Sequence, residues 1–254
     1  MPSTRPVAIV TGSSSGVGAA CVQQLAARGW NPVVNFSRSD AAAREVAKQC
    51  EAAGAEVLVV KADVAEDADC RRLVKEAMDR FGRLDALVNN AGTTKFVNHA
   101  DLDGLDKADF LHIYSVNTVG AFQMARAAEP HLRAAGRAAI VNVASIAGIK
   151  GIGSSIAYAA SKGAMITMTK SLARVLGPQI RVNAVCPGFI QGEWLRQGMG
   201  AETYDRSKAF LEKSTPLQAT ASADTVAETI ISLIENASLV TGETLLLDGG
   251  HHLM

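Results

Sequence analysis

Seven short apolar runs, each separated from the next by a stretch of helical period, leave this chain few folds to choose from. They are "PVAIV" (6–10), "PVVNF" (32–36), "EVLVV" (56–60), "ALVNN" (86–90), "AAIVNVAS" (138–145), "IRVNAVCPG" (180–188) and the apolar centre of the closing "GETLLLDGG". None alternates apolar with polar residues, so each predicts a strand buried on both faces. About six helices lie between them. In the first, Val17, Cys21, Val22 and Leu25 share a face and Gly29 supplies the stop; the second is capped by Ser39 and ended by Gly54. Others run to about Phe81, across 107–128, through "YAASKGAMITMTKSLARVL" and across 222–235. Parallel strands need crossovers, and right-handed crossovers put helices on both faces of the sheet. The expected architecture is α/β: a Rossmann-like, doubly wound, seven-stranded parallel sheet in one domain over 1–254, with no internal repeat or linker. Ligands in such folds sit beyond the carboxyl ends of the strands, at the switch point.

Composition narrows the function classes. With 48% hydrophobic residues the chain can bury a large core, and 25 basic against 25 acidic residues give no net field to draw nucleic acid or an anionic membrane. Cys21, Cys50, Cys70 and Cys186 show no CxxC spacing and read as reduced thiols rather than a metal or redox motif. "MPSTRP" leads directly into the first strand, leaving no room for a signal peptide, so a cytoplasmic protein is expected. The five histidines, His99, His112, His131, His251 and His252, lack metal-ligand spacing, and Met165 and Met168 read as core.

"TGSSSGVG" (11–18) begins where the first strand ends and runs into the first helix. Gly12 permits a sharp turn, Gly16 admits a pyrophosphate close to the backbone, and Gly18 lets the helix pack near the sheet. Ser14, Ser15 and Val17 complete a loop whose helix N-terminus offers free N–H groups to phosphate. The spacing is GxxxGxG rather than GxGxxG, so the motif alone is also compatible with an ordinary strand-to-helix turn. An NAD site usually carries an acid at the end of the second strand, about 20 residues past the glycines. Here Phe36 falls there, followed by Ser37, Arg38 and Ser39. Without a carboxylate to repel a 2′-phosphate, and with a guanidinium fork to bind one, NADP(H) is favoured and NAD(H) remains possible.

The glycine loop, "NNAG" (89–92), Ser145 after the fifth strand and "YAASK" (158–162) stand in the order and spacing of one family. The chain resembles the classical short-chain dehydrogenase/reductases over its whole length, through "PG" (187–188) to "VTGETLLLDGG". "VVNFSRSDAAAREV" resembles the 3-oxoacyl-[acyl-carrier-protein] reductase-like branch. The resemblance implies interconversion of a carbonyl and a secondary alcohol by hydride transfer. It assigns proton transfer to Tyr158, which shares a helix face with Lys162; a nearby cation and an oxidised nicotinamide both favour the phenolate. Lys162 would also bond the nicotinamide ribose. Ser145 would bond the substrate carbonyl, and the Asn117 backbone carbonyl would hold a water against the lysine.

By the same resemblance, Asn90, Ala91 and Gly92 line the adenosine-ribose side, Asp63 beside Val64 meets the adenine, and Ile190, after Pro187 and Gly188, meets the carboxamide. Taken singly, Ser145 also reads as a helix cap, Asn117 as a polar helix residue and Asp63 as the cap of the third helix. The sequence departs from the family pattern at Ser15, where many relatives carry arginine, at Gly192, near a usual threonine, and at Val175, often glutamate. Residues 189–217 are expected to form a substrate lid, with Gly192, Gly198 and Gly200 as hinges and Trp194 facing the substrate or the body. Relatives pair their long fourth and fifth helices into dimers and tetramers, so a homotetramer or homodimer is expected. Two other readings share these residues: an NAD(H)-dependent alcohol, sugar or steroid dehydrogenase, and a dinucleotide sensor without turnover.

Overall fold

A computed structural model describes residues 2–254. Strands β1 (Val7–Val10), β2 (Asn31–Phe36), β3 (Leu58–Lys61), β4 (Ala86–Asn89), β5 (Ala138–Val143), β6 (Ile180–Pro187) and β7 (Thr244–Leu247) form one sheet in the order 3-2-1-4-5-6-7. Every pairing is parallel. The seven-stranded, doubly wound architecture read from the sequence is the one observed. Strands β1, β2, β4 and β5 are buried along their whole length, which explains their unbroken apolar runs.

Helices α1 (Gly16–Ala27), α2 (Asp40–Ala52) and, late in the chain, α10 (Ala223–Glu235) cover one face, where Cys21, Leu25, Val46 and Ile230 pack on Val10, Val34 and Val88. Helices α3 (Asp67–Phe81) and α5 (Gly120–Ala134) cover the other, where Leu73, Phe81 and Met124 pack on Val7, Ile9 and Leu87. No helix is long and apolar enough to cross a membrane among the described residues.

Two local expectations change. The segment predicted as one helix over 107–128 is α4 (Lys107–Tyr114) and α5 joined by a π-helical turn, Ser115–Val119. The wider turn inserts a residue into the ladder and re-aims Asn117 inward, where it is fully buried. Segments given no element from the sequence contain α6 (Ala147–Lys150), α8 (Glu193–Met199) and α9 (Ala201–Ser214), the first two too short to show a helical period. The remaining helix, α7 (Ile156–Leu176), carries the "YAASK" stretch.

A buried polar ladder sets α7 against the sheet. Asn89 Nδ2 donates to Asn142 Oδ1 at 2.9 Å, and Asn142 Nδ2 donates to Thr169 Oγ1 at 2.9 Å, linking β4, β5 and α7. Thr169 Oγ1 in turn donates to the Met165 carbonyl. Asn142 and Thr169 are both wholly buried, so each bond is strong because water cannot replace it. Asn142→Ala is expected to cost about 2 kcal/mol, since it removes one hydrogen bond from each of two buried groups, leaving Asn89 Nδ2 only the Ala121 carbonyl and Thr169 Oγ1 only the Met165 carbonyl. Urea unfolding checks this: the midpoint should fall with the slope unchanged.

Candidate active site

The sheet order reverses between β1 and β4, and the loops that leave these two strands open a crevice at their carboxyl ends. A cleft of about 1200 Å³ lies there. One end is walled by Gly12, Ser15, Gly16, Ser37, Arg38 and Asp63, the other by Ser145, Tyr158 and the residues of α8 and α9.

The glycine loop is strapped down by side chains on three strands' ends. Thr11 Oγ1 accepts from the N–H groups of Asn90 and Ala91 at 3.0 Å each, and Asn90 Nδ2 donates to the carbonyls of Thr11 and Gly12 at 2.9 and 3.0 Å. Asn35 completes the strapping from β2. Its Oδ1 accepts from Gly12 N at 3.0 Å, and its Nδ2 donates to Val60 and Ala62 carbonyls at 3.3 and 3.1 Å. Helix α1 then comes so close that a Cβ on Gly18 would stand 2.6 Å from Asn90 Nδ2 and from the Gly12 carbonyl oxygen. The N-terminus of α1 receives no side-chain cap from Ser15, and Ser15, Gly16 and Val17 of this terminus line the cleft.

At the far end of β2, Phe36 packs into the core and leaves Ser37 and Arg38 at the surface of the cleft. Asp40, the nearest acid in sequence, is engaged by Arg44 Nε at 2.8 Å. Asp63 is exposed at the cleft; its Oδ1 accepts from Ala65 N, and the cap of α3 is Glu66, not Asp63. Val64, Ala91, Gly92, Pro187, Gly188 and Ile190 all line the cleft, whereas Ser14, Gly18 and Ser39 stand outside the lining.

At the other end, a close contact between α6 and α7 brings Ser145 to the tyrosine. A Cβ on Gly148 would lie 2.5 Å from Gly163 N and the Lys162 carbonyl carbon, so only glycine lets the turn after β5 rest on α7. Ser145 Oγ accepts from Ala147 N at 3.1 Å, the cap-like bond of the plainer reading, yet it still faces the cleft. Lys162 is 3% exposed, and its Nζ donates to the Val143 carbonyl at 2.7 Å while standing 5.7 Å from the Tyr158 ring centroid. Asn117 lies beneath this floor rather than in the lining. Its Nδ2 donates to the Thr93 carbonyl and to Ser161 Oγ at 3.0 and 2.9 Å, and its Oδ1 accepts from Thr93 N at 2.7 Å. Gly92 is wedged between Asn117 Oδ1 and Lys162 Nζ, 3.4 and 3.6 Å from the place of a Cβ.

Electrostatics here run against the Coulomb argument for a phenolate. Burial pushes the Tyr158 phenol up to about 12, a rise that a hydrogen bond from Ser145 only partly offsets. Burial also lowers the Lys162 ammonium to about 8. The lysine donates to a backbone carbonyl and meets no carboxylate, so desolvation governs both groups. In the protein alone the tyrosine therefore keeps its proton at neutral pH.

Sequence reasoning missed several residues of this site. Asn35 sits inside a strand-like run and carries no motif, and Gly148 and Gly163 meet only through the fold. His112 and His251 line the cleft from α4 and from the carboxyl-terminal turn, which nothing in their sequence neighbourhood signals. Of the three lid glycines, Gly192 (φ +155) and Gly200 (φ +82) have hinge-like backbones, whereas Gly198 lies within α8 against the Phe96 ring.

A phosphate-accepting helix terminus over the switch point, continuous with a serine, a tyrosine and a buried lysine, defines a dinucleotide-dependent oxidoreductase. Comparisons with known proteins agree. A family model described as "Enoyl-(Acyl carrier protein) reductase" matches residues 12–252. The chain is 44% identical to "Granaticin polyketide synthase putative ketoacyl reductase 2" of Streptomyces violaceoruber, over 98% of this chain and 97% of that one. It is 34% identical to a 3-oxoacyl-[acyl-carrier-protein] reductase of Synechocystis sp., over 97% of each. The crystal structure of "a putative short-chain dehydrogenase/reductase from Burkholderia xenovorans" superposes with a TM-score of 0.92 at 40% identity, covering 99% of this chain and 100% of that one. The chain belongs to the short-chain dehydrogenase/reductase family, and its cofactor is a nicotinamide dinucleotide.

The cradle fits such a group: the strapped loop, the open α1 terminus and the buried amine are all in place within this chain. The amine has a measurable cost. A fall from 10.5 to about 8 corresponds to about 3 kcal/mol of destabilisation. The unfolded chain holds the lysine proton up to 10.5 and the folded one only to about 8, so the penalty is full below pH 8 and fades as pH rises to 10.5. Lys162→Met, without added dinucleotide, is expected to be more stable than the parent by roughly 1–3 kcal/mol at neutral pH. Denaturation across pH checks it: the gap should be widest below pH 8 and close above it.

Proposed function

We propose that this protein is an NADP(H)-dependent reductase of ketones, interconverting a carbonyl and a secondary alcohol, with a 3-oxoacyl thioester or related ketone as substrate. The observation that carries the reading is the convergence of Ser145, Tyr158 and Lys162 at one end of a cleft whose other end presents Arg38. Among the described residues Arg38 has no ion-pair or hydrogen-bond partner, while neighbouring Asp40 is neutralised by Arg44. A free guanidinium with no competing carboxylate suits a 2′-phosphate. The names of the relatives support the reductive direction and the 3-oxoacyl class.

The dinucleotide supplies the hydride; the protein supplies position and a proton. Gly12, Ser15, Gly16 and Val17 would hold the pyrophosphate, Asp63 would meet the adenine, and Lys162 would hold the nicotinamide ribose. Ser145 Oγ donates to the substrate carbonyl and stabilises the charge that develops on its oxygen. Tyr158, kept protonated by burial, donates the phenolic proton to that oxygen. Lys162 stabilises the phenolate left behind, and a water held near Asn117 refills it. Residues 189–217 act as the lid of a single domain spanning the chain.

The four buried, unpaired cysteines suit a reducing cytoplasm. Homo-oligomer formation is part of the same reading. Val119 at the end of the π turn, Phe122 of α5 and Val175 of α7 are exposed at 38%, 42% and 66%, and a shallow groove between α5 and α7 is lined by Phe122, Leu172 and Leu176. Such a face suits a second copy of the chain.

Two substitutions test the assignment. Tyr158→Phe should bind NADPH within about threefold of the parent and lose at least about 10³-fold in ketone reduction, the general-acid contribution; an unchanged rate refutes the mechanism. Arg38→Ala should lower the NADPH-over-NADH preference in kcat/KM by about tenfold to a hundredfold, the worth of a charge-assisted phosphate contact. An unaltered ratio favours the NAD(H)-dependent reading instead.

A further inference from the structure

The chain ends by turning back into the cleft. Beyond β7, Asp248 is 8% exposed, and its carboxylate winds the last residues around itself. Its Oδ1 accepts from Gly250 N at 3.0 Å and from His252 Nδ1 at 3.0 Å, and its Oδ2 accepts from His252 N at 2.8 Å. The result is a single 3-10 turn, His251–Leu253.

Neighbours on both sides seat this turn. A Cβ on Gly188 would stand 2.8 Å from Asp248 Cβ and 3.5 Å from Ile146 Cδ1, so Asp248 and the residue after Ser145 meet across the loop that follows β6. Lys150, at the end of α6, donates from Nζ to the His251 carbonyl at 2.9 Å. On the outer side Leu217 N donates to the Gly249 carbonyl at 3.0 Å, and a Cβ on Gly250 would come within 2.7 Å of Pro216 Cγ. These contacts hold His251 at the Ser145 end of the cleft, which it lines.

The two adjacent histidines are used differently. His252 gives its Nδ1 to Asp248, whereas the half-buried ring of His251 has no hydrogen-bond partner among the described residues. Its nitrogens have only water or a bound molecule to meet. Burial, and after it the Lys150 ammonium, lower this imidazole below its ordinary value against an upward pull from Asp248, so the ring is neutral at neutral pH. A neutral imidazole carries one N–H donor, and the cation beside it favours an electron-rich oxygen as the partner of that donor.

Resting on the reading of this site as a ketone-reducing one, we propose that His251 is a specificity-determining residue that donates a hydrogen bond to a second oxygen of the substrate, the ester or thioester carbonyl next to the reacting ketone. Ser145 takes the reacting carbonyl, and the group further along the substrate is the one that meets the carboxyl-terminal turn. His252 and Asp248 are positioning residues that act through His251.

The test compares ethyl 3-oxobutanoate with 2-heptanone, two methyl ketones of equal chain length that differ in the second carbonyl, by kcat/KM with NADPH and NADH in the intact protein. The ester also activates its ketone, so the readout is the change in the ester-to-ketone ratio from parent to variant, in which intrinsic reactivity cancels. His251→Leu and His251→Phe should each lower the ratio about threefold to tenfold, the worth of one hydrogen bond between neutral groups. The loss should appear in KM for the ester more than in kcat. His251→Asn, which keeps a donor, should retain most of the ratio. His252→Ala should lower it and His252→Asn, whose amide can still donate to Asp248, should restore it. A purely structural role would lower melting temperature or both rates together and leave the ratio in place. A ratio that neither His251→Leu nor His251→Phe moves overturns the proposal while leaving the ketone-reductase reading intact. Failure of the parent to reduce these or any other ketones removes both.

Discussion

The cleft depends on an amine that the fold keeps almost out of water. Lys162 bonds one backbone carbonyl and no carboxylate. A lysine on a loop or a lone helix would turn outward to regain its hydration. Here α7 cannot turn. Thr169 is locked to Asn142, and Gly163 is pressed against Gly148. The side chain's path is therefore set by a helix that the core holds on its other face, where Ala173 and Leu176 pack with Ile140 and Val182. The apolar burial on both faces of the sheet supplies the stability that this strained solvation draws down.

Topology decides what stands next to that amine. Because β1 and β4 are neighbours while their crossovers leave in opposite directions, the loops after them diverge and leave a gap. Thr11 and Asn90 close the bottom of the gap by mutual hydrogen bonds, and Asn35 fixes the glycine loop from the next strand over. These are neutral amides and a hydroxyl, which add rigidity to the glycine loop without adding charge there. The positive character at this end of the cleft comes from the uncapped α1 terminus and from Arg38, that is, from backbone and one side chain.

What was legible in the sequence follows the range of the interactions concerned. The strands, the glycine loop and the Tyr158–Lys162 spacing depend on neighbours within a few residues, and the periodicity and turn chemistry exposed them directly. The π turn at Ser115–Val119 could not be read, because its cause is tertiary: the loop at Thr93 draws Asn117 inward, and Gly120 sits against the Val64 carbonyl. Asn35 was equally hidden, since a polar residue inside an apolar strand acquires its meaning only from Gly12 and Ala62 on adjacent elements. Gly198 looked like a hinge by type alone. Its neighbour across space, Phe96, lies about a hundred residues earlier in the chain.

The charge state of the tyrosine marks where pattern reasoning and structure part most instructively. A cation one turn away lowers a phenol's pKa only if its field reaches the oxygen more strongly than burial disfavours the anion. Lys162 directs its ammonium to the Val143 carbonyl, and the low-polarity surroundings that weaken its own hold on a proton strengthen that of the phenol. With the phenol near 12 and the amine near 8, both groups are mainly protonated at neutral pH. That is the state required to give a proton to a carbonyl oxygen. An oxidised, positively charged nicotinamide beside the phenol would favour its anion, and a reduced, neutral one would not. The resting protein therefore holds a neutral phenol beside a cationic amine, and burial rather than their mutual field sets both states.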